Sequence, residues 1–210
     1  MMQKCQDGYY VTFSSLLSLE DYNKEQEAHT RWTRCPVNAL KVNALDKASP
    51  LYVNTSAFAS EVTSDAIEDT TENLGLAMEV DGKNYPIRDT AYKSLLDRAK
   101  ISGNSLAKLE RKVLAKVLNS CYKLYSADAL LLIRDEKVSA VHSGDASDYS
   151  ILPISELLDS LKTKLDARFP GNNFVTGYAD HSFTSAEWTM PAQKEDLLGA
   201  YAKVLAAQGK

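Results

Sequence analysis

The sequence predicts an α+β fold in which short antiparallel β-hairpins pack against three or four amphipathic helices. Two pairs of short apolar runs flank the dipeptides Asp81-Gly82 and Asp135-Glu136, which is typical of β-hairpins. Each pair is followed along the chain by segments with apolar residues at helical spacing. Such a pattern favours the α+β class. The chain of 210 residues is 44% hydrophobic and 25% charged, so we expect one main domain over residues 1–210.

The N-terminal part of this domain, residues 1–75, contains the weakest patterns. Residues 15–32 are rich in good helix formers and predict a helix. Cys35-Pro36 and Ser49-Pro50 then break the chain into extended pieces, because the residue before proline disfavours the helical region. Residues 63–73 are acidic and polar, and they predict a loop or a frayed helix.

The remaining elements follow in a clear order. A hairpin over residues 74–87 precedes a helix over residues 91–100, which we expect to end at Ser102-Gly103-Asn104 because Gly and Asn suit a left-handed cap. A second hairpin covers residues 129–143. A helix over residues 154–169, two strands over residues 174–190 and a last amphipathic helix complete the chain; that last helix carries Leu197, Leu198, Tyr201, Val204 and Leu205.

The segment 106–124 is the strongest helix prediction. Its apolar residues recur at helical spacing and predict one buried stripe: Leu106, Leu109, Val113, Val117, Leu118, Cys121 and Leu124. We therefore expect one continuous helix in which Leu109, Val113 and Val117 are buried. Lys112 and Lys116 are expected to face the solvent.

Charge is distributed unevenly along the chain. The formal net charge is −4, but residues 88–124 hold nine Lys/Arg against three Asp/Glu, whereas residues 1–87 hold seven against 13. On a helical wheel, Lys108, Lys112, Lys116 and Lys123 fall within an arc of about 80° at about 100° per residue. Like charges at i, i+4 repel each other, and a bound polyanion would relieve that repulsion.

This basic segment is the candidate nucleic-acid-binding surface. The hypothesis assigns it seven residues: Arg98, Lys100, Lys108, Arg111, Lys112, Lys116 and Lys123. Single-stranded nucleic acid is the expected form of the ligand. The alternative interpretation is an ordinary solvated helix face that the acidic remainder of the chain balances.

Two polar loops are the only other candidates for chemistry. His142, Asp145 and Asp148 together with Asp180 and His181 would supply metal ligands or acid–base groups if the loops met. Neither loop has HxH or HExxH spacing, and small polar residues are also what a connection between elements requires. We therefore predict no catalytic residue, no metal and no cofactor.

The cysteines and the hydropathy pattern bear on the compartment. Cys5, Cys35 and Cys121 are widely spaced and form no CxxC motif, which favours reduced thiols over a disulfide framework or a zinc site. Cys121 lies on the apolar stripe and is interpreted as a small buried hydrophobe. No segment approaches the roughly 18 apolar residues that a membrane-spanning helix needs. We expect a cytoplasmic protein without a membrane partner.

Several segments resemble one known family. The segment YPIRDTAYKSLLDRAKI, the basic helix, the segment LLIRDEKVSAVHSGDASDYSILPISELL and the strand pair that ends near Trp188 follow one another in the family's order. Over residues 84–190 the chain resembles the phage- and plasmid-associated family called domain of unknown function 932. The resemblance implies a protein carried by a mobile genetic element. It implies no established reaction.

The leading functional hypothesis combines this resemblance with the basic segment: a non-enzymatic mobile-element protein that binds nucleic acid during replication, transfer or recombination. One alternative is an anti-defence or regulatory protein that binds a host protein through the acidic first and last thirds of the chain. A third is a metal-dependent enzyme in which the two polar loops converge.

Overall fold

The computed structural model describes residues 3–145 and 150–208, which form two compact units. Unit 1 comprises the chain up to Tyr10, Ala28–Ile151 and Asp180–Ser182. Unit 2 comprises Val11–Glu27, Leu152–Ala179 and the chain from Phe183 onward. The single main domain expected from the sequence stays a prediction, because two compact units do not exclude folding as one domain.

Helices alternate with antiparallel strands along the chain, and this confirms the α+β class. The strands are β1 (Tyr10–Phe13), β2 (Thr30–Pro36), β3 (Lys41–Ala44), β4 (Leu76–Val80), β5 (Lys83–Pro86), β6 (Asp128–Arg134), β7 (Lys137–Ser143), β8 (Asn173–Asp180) and β9 (Thr184–Thr189). The α-helices are α1 (Leu16–Ala28), α2 (Pro50–Val53), α3 (Ser64–Glu72), α4 (Tyr92–Ala99), α5 (Arg111–Tyr122), α6 (Ile154–Arg168) and α7 (Lys194–Ala207).

The strands of the described residues form three-stranded sheets instead of separate two-stranded hairpins. Unit 1 contains the sheets β2-β6-β7 and β3-β4-β5, whose neighbouring strands pair antiparallel. Unit 2 contains the sheet β1-β8-β9, in which β8 and β9 pair antiparallel. The hairpin description was therefore too narrow, because residues 30–36 and 41–44 add a third strand to each sheet of unit 1.

The two tight turns of unit 1 have the backbone that their sequences favour. Asp81 and Gly82 have φ of 52° and 77°, and Asp135 and Glu136 have φ of 46° and 71°. A two-residue turn with positive φ at both positions matches the twist of the strands it joins. Glu136 also anchors another element, since its Oε2 accepts hydrogen bonds from Thr63 N at 2.7 Å and Thr63 Oγ1 at 2.6 Å.

Residues 63–73 are more ordered than their composition indicated. They form α3, and Thr63 Oγ1 accepts a hydrogen bond from Ala66 N at the helix N-terminus. Helix α4 ends earlier than predicted, because Lys100, and not the Gly103 region, takes the left-handed cap with φ of 55°.

The core of unit 1 lies between its two sheets and the helices α4 and α5. The central strand β6 is buried from Ala129 to Ile133. Helix α5 is fastened to β3, the edge strand of its sheet: Asn119 Nδ2 donates to Val42 O at 2.7 Å, and Asn119 Oδ1 accepts from Val42 N at 2.8 Å. One side chain therefore satisfies both backbone groups that an edge strand leaves open.

The continuous helix predicted for residues 106–124 is wrong at its start. Residues Asn104–Lys108 form a 3-10 turn, Leu109 and Glu110 have extended backbone, and α5 begins only at Arg111. The core explains the break, because Leu106 and Leu109 pack against it from outside α5. A periodicity count cannot distinguish two short helical segments from one long helix.

The buried face of α5 is also rotated from the predicted stripe. Val113 is 43% exposed, and the buried residues are Leu114, Ala115, Leu118 and Tyr122. Val117 and Cys121 are only partly buried, and Leu124 is 75% exposed. The exposure of Lys112 and Lys116 agrees with the prediction.

Unit 2 buries fewer apolar side chains than unit 1. Gly177 of β8 allows a close approach of α1, since a Cβ there would lie 2.9 Å from Leu19 Cδ2. Four of the five predicted apolar residues of α7 remain more than half exposed, namely Leu197, Leu198, Tyr201 and Val204, and Leu205 is partly buried. None of the helices in the described part of the chain has both the length and the apolar character to cross a membrane.

Candidate nucleic-acid interface

Three lysines form a row along the solvent side of α5. Lys112, Lys116 and Lys123 are all exposed, and Lys123 continues the helical backbone as the C-cap with φ of −59°. They fall within an arc of about 40° on a helical wheel and extend over about 16 Å at a rise of about 1.5 Å per residue. This set, named here the lysine row, can contact a linear ligand along one line.

The charge of the lysine row is not neutralised locally. No Asp or Glu occurs from Arg111 to Ala127. Within residues 3–145 and 150–208, no carboxylate forms an ion pair with any of the three lysines. By contrast, Lys41 lies 2.5 Å from Glu79, and Lys47 lies 3.1 Å from Glu68. The lysine row is therefore a local positive surface on a chain of net negative charge.

The first turn of α5 places cations where helix electrostatics disfavour them. Arg111 and Lys112 are its first two residues, and the turn contains no acidic residue. The helix dipole makes this end positive, and a cation there loses about 0.3–1 kcal/mol relative to a favourable placement. Helix stability alone would favour Asp or Glu at these positions. An anionic ligand would offset the unfavourable interaction between the helix dipole and the two cations.

The other four predicted residues do not extend the row. Lys108 is exposed but belongs to the preceding 3-10 turn, so the 80° arc that included it is wrong. Arg98 of α4 is half-buried, with an Nε that finds no hydrogen-bond partner among the described residues. Lys100 is exposed at the end of α4. Arg111 makes contacts within the fold: its Nη2 donates to Asn73 O at 3.0 Å, and its side chain packs against Gly75.

A cleft of about 1000 Å³ opens at the N-terminal end of the lysine row. It is lined by residues 43–44, 46–51, 54 and 110–112, and is named here the α5 cleft. Lys112 belongs both to the cleft and to the row. Nothing in the sequence pattern pointed to this cleft, because its two sides are more than fifty positions apart along the chain.

The two polar loops contribute histidines with different partners. His142 lies on β7, with its ring centroid 5.8 Å from that of Trp32, and burial lowers its pKa. His181 is buried, and its Nε2 donates to Gln6 O at 2.8 Å, since a carbonyl can only accept. Asp180 Oδ1 accepts a hydrogen bond from Ser182 N at 2.8 Å. Ser147, Asp148 and Tyr149 of the first loop lie outside the described residues.

A buried ion cluster in unit 1 was missed at the sequence level. Arg88 and Lys137 have fully buried side chains. Lys137 Nζ lies 3.0 Å from Asp7 Oδ1 and 2.5 Å from Asp69 Oδ2, and Arg88 Nη1 lies 3.3 Å from Asp7 Oδ1. Asp7 Oδ2 also accepts from Asp89 N at 3.0 Å. This cluster ties the segment around Asp7 to α3 and to β7.

Burial dominates the electrostatics of the cluster and its surroundings. It lowers the pKa of Arg88, which Asp7 partly opposes, and it raises the pKa of Asp135. Burial, with a smaller effect of Arg88, lowers the pKa of His181 to about 4. His181 Nδ1 finds no hydrogen-bond partner in the described chain, so a second ring proton would be buried without an acceptor.

The described residues offer no obvious centre for metal chemistry. Among residues 3–145 and 150–208, no group of three or more His, Cys, Asp or Glu side chains is placed to hold a metal ion. The cluster around Asp7 contains two cations facing the carboxylates instead. These contacts give the cluster a structural role.

Comparisons with known proteins provide no further assignment. No family model, no curated protein and no solved structure matches this chain. The resemblance to the domain of unknown function 932 family therefore stays a prediction.

Proposed function

We propose that this protein binds nucleic acid through the lysine row of α5. The observation that carries the proposal is the row itself: three exposed lysines on one helix face without an acidic partner among the described residues. Supporting it, Lys112 lies in the first turn of α5, where the helix dipole disfavours a cation, and Glu110 at the N-cap forms no ion pair with it among the described residues. A line of cations suits the line of phosphates along a polynucleotide strand.

The biological setting of the proposal comes from the family resemblance. A phage or plasmid protein without catalytic groups would bind nucleic acid in the cytoplasm during replication, transfer or recombination. The non-enzymatic part of the proposal stays an expectation from the sequence. In the structure His142 and His181 have separate partners.

The strength of binding should be modest and strongly dependent on salt. Three lysines neutralise about three phosphates, and each releases about 0.7 counterion on a single strand, so the log–log salt slope should be about −2. The acidic remainder of the chain repels nucleic acid elsewhere. Binding should therefore be confined to this face.

Fluorescence anisotropy with a labelled oligonucleotide at low salt tests the proposal. The informative variant reverses the charge of the lysine row by combining Lys112→Glu, Lys116→Glu and Lys123→Glu. The matched control reverses three exposed lysines of unit 2, Lys24→Glu, Lys164→Glu and Lys203→Glu, and changes the net charge by the same amount. We expect the row variant to lose binding and the control to retain most of it.

Two outcomes would contradict the proposal. Absence of binding by the wild-type protein, or equal loss in both variants, would show that the lysine row is not a binding surface. The alternative of a host-protein partner would then take its place.

A further inference from the structure

The α5 cleft adjoins the N-terminal end of the lysine row on the surface of unit 1. Lys112 lies at its mouth, and the next lysine of the row is one helical turn away. A strand whose phosphates follow the row would thus place one nucleotide over the cleft. The cleft volume of about 1000 Å³ is at the upper end of the range for small-ligand sites, so a nucleobase fits within it.

The lining of the cleft suits a flat, mostly neutral group. Ala44, Ala48, Pro50 and Leu51 supply apolar surface for the faces of a base. Asn54 supplies an amide at the exposed rim; its Oδ1 accepts from Ser56 Oγ at 2.8 Å, which leaves its Nδ2 hydrogens to donate. A base edge carries the carbonyl and ring-nitrogen acceptors that such a donor needs.

The charges in the cleft disfavour a phosphate as its occupant. Asp46 and Glu110 lie in the lining together with Lys47, Arg111 and Lys112. Lys47 is already paired with Glu68 at 3.1 Å. With Lys47 paired, Asp46 and Glu110 balance Arg111 and Lys112, so the lining is close to neutral in sum, whereas Lys116 and Lys123 of the row lie outside it and have no carboxylate partner among the described residues. Phosphates are therefore expected on the row and an uncharged base in the cleft.

We infer that the α5 cleft receives one unpaired nucleobase of a strand held by the lysine row, so that the protein prefers single strands to duplex. The inference rests on the proposed nucleic-acid binding. A base in a duplex is stacked and paired, and extracting it costs a few kcal/mol, whereas a base in a single strand is free to enter. The lining has no aromatic side chain, so little preference among the four bases is expected.

Three labelled ligands test the inference by fluorescence anisotropy at one low salt concentration. They are a twelve-nucleotide oligothymidine, the same backbone with abasic sites throughout, and a twelve-base-pair duplex. We expect the oligothymidine to bind on the order of tenfold more tightly than either of the others, which corresponds to about 1.4 kcal/mol.

Filling the cleft should abolish that difference. Ala48→Trp places a large ring on an exposed loop residue of the lining, and Asn54→Trp fills the cleft independently from its rim. Ala167→Trp on the exposed surface of α6 is the matched control. A filled cleft should weaken oligothymidine binding about tenfold, to the level of the abasic strand, with the abasic strand itself unaffected. Thermal melting identifies which filled variants are folded, and either one suffices.

The outcomes separate the inference from the proposed function. If the wild-type protein binds none of the three ligands, the proposed function fails. If it binds all three equally and loses them on reversal of the lysine row, the row is the interface and the cleft inference alone is overturned. Undiminished oligothymidine binding by a folded, filled variant also overturns it.

Discussion

Lys137 and Lys116 are the same residue type in the same compact unit, yet their surroundings differ. The Lys137 side chain is fully buried, with its Nζ within 3.0 Å of carboxylates from Asp7 and Asp69. Lys116 is exposed and has no carboxylate partner among the described residues. The first lysine stabilises the fold by compensating buried negative charge, and the second leaves its charge available to a ligand.

The difference shows why counting basic residues is not enough to locate a binding surface. Arg88 lies in the same basic segment of the sequence as Lys116, but it forms an ion pair with Asp7 inside unit 1. Arg111 is adjacent to Lys112 in sequence, but it contacts Asn73. Only cations that are both exposed and unpaired contribute to the proposed interface.

Replacing Lys137 by Met should strongly destabilise the protein. The methionine fills similar volume but leaves Asp7 and Asp69 facing each other without the ammonium group, and breaking a buried pair costs about 3–5 kcal/mol. Lys116→Met is the control and should change the free energy of unfolding by less than about 0.5 kcal/mol. Urea denaturation measures both, and a Lys137→Met protein as stable as the wild type would show that the cluster is not structural.

The pH dependence of stability should report on His181, which lies against the same cluster. Its pKa is about 4 in the folded protein, below the usual value of about 6.5, so the unfolded state binds the proton more tightly. The contribution of His181 to the free energy of unfolding is roughly 3 kcal/mol. It is complete above about pH 6.5 and is lost as the pH falls towards 4.

His181→Gln is the variant that isolates this effect. Glutamine can still donate a hydrogen bond to Gln6 O but does not titrate. The difference between the urea stabilities of wild type and variant should therefore change between pH 7 and pH 4.5. A difference that is constant over this range would exclude His181 as the group responsible.

Lys112→Glu should stabilise the protein while weakening nucleic-acid binding. Glutamate in the first turn of α5 interacts favourably with the helix dipole and with Lys116 one turn later, for a gain of about 0.3–1 kcal/mol. Lys123→Glu, at the opposite end of the helix, should give no such gain. Thermal melting distinguishes the two, and a destabilised Lys112→Glu protein would contradict the electrostatic argument for an anion at this end.

Val113→Asp should have the smallest effect, in contrast to what the apolar stripe predicted. Val113 is 43% exposed, so a carboxylate there remains hydrated and should change stability by about 0.5 kcal/mol or less. Leu114→Asp, at the neighbouring buried position, should unfold unit 1 because its charge would be unpaired in the core. Circular dichroism and urea denaturation of the pair would establish which face of α5 is buried.

Much of the fold followed from local patterns. The α+β class, the helix over residues 154–168 and the turn at Asp135-Glu136 were visible because side-chain periodicity and turn chemistry act over a few residues. For the region of strands β2 and β3 the sequence predicted only extended pieces, because these strands are stabilised by pairing with the distant strands β6 and β4. The break at Leu109–Glu110 was missed because both short segments continue one periodicity.

The candidate site was predicted only in part. The concentration of Lys and Arg in residues 88–124 identified the three residues of the lysine row. It could not separate them from Arg88, Arg98 and Arg111, whose side chains are partly or fully buried. The α5 cleft had no sequence signal, because residues 43–54 and the start of α5 are distant in sequence and come together only through tertiary packing.

By itself the sequence determined the elements whose cause is local: the positive-φ turns, the helical stretch around Lys116 and the uneven distribution of charge. Tertiary structure decided which charges are available. Lys137 reaches Asp7 across a separation of 130 residues, and Asn119 fixes the rotation of α5 by bonding to Val42, 77 positions away. Burial and pairing depend on such distant contacts, and a local pattern contains no information about which distant residue will lie opposite.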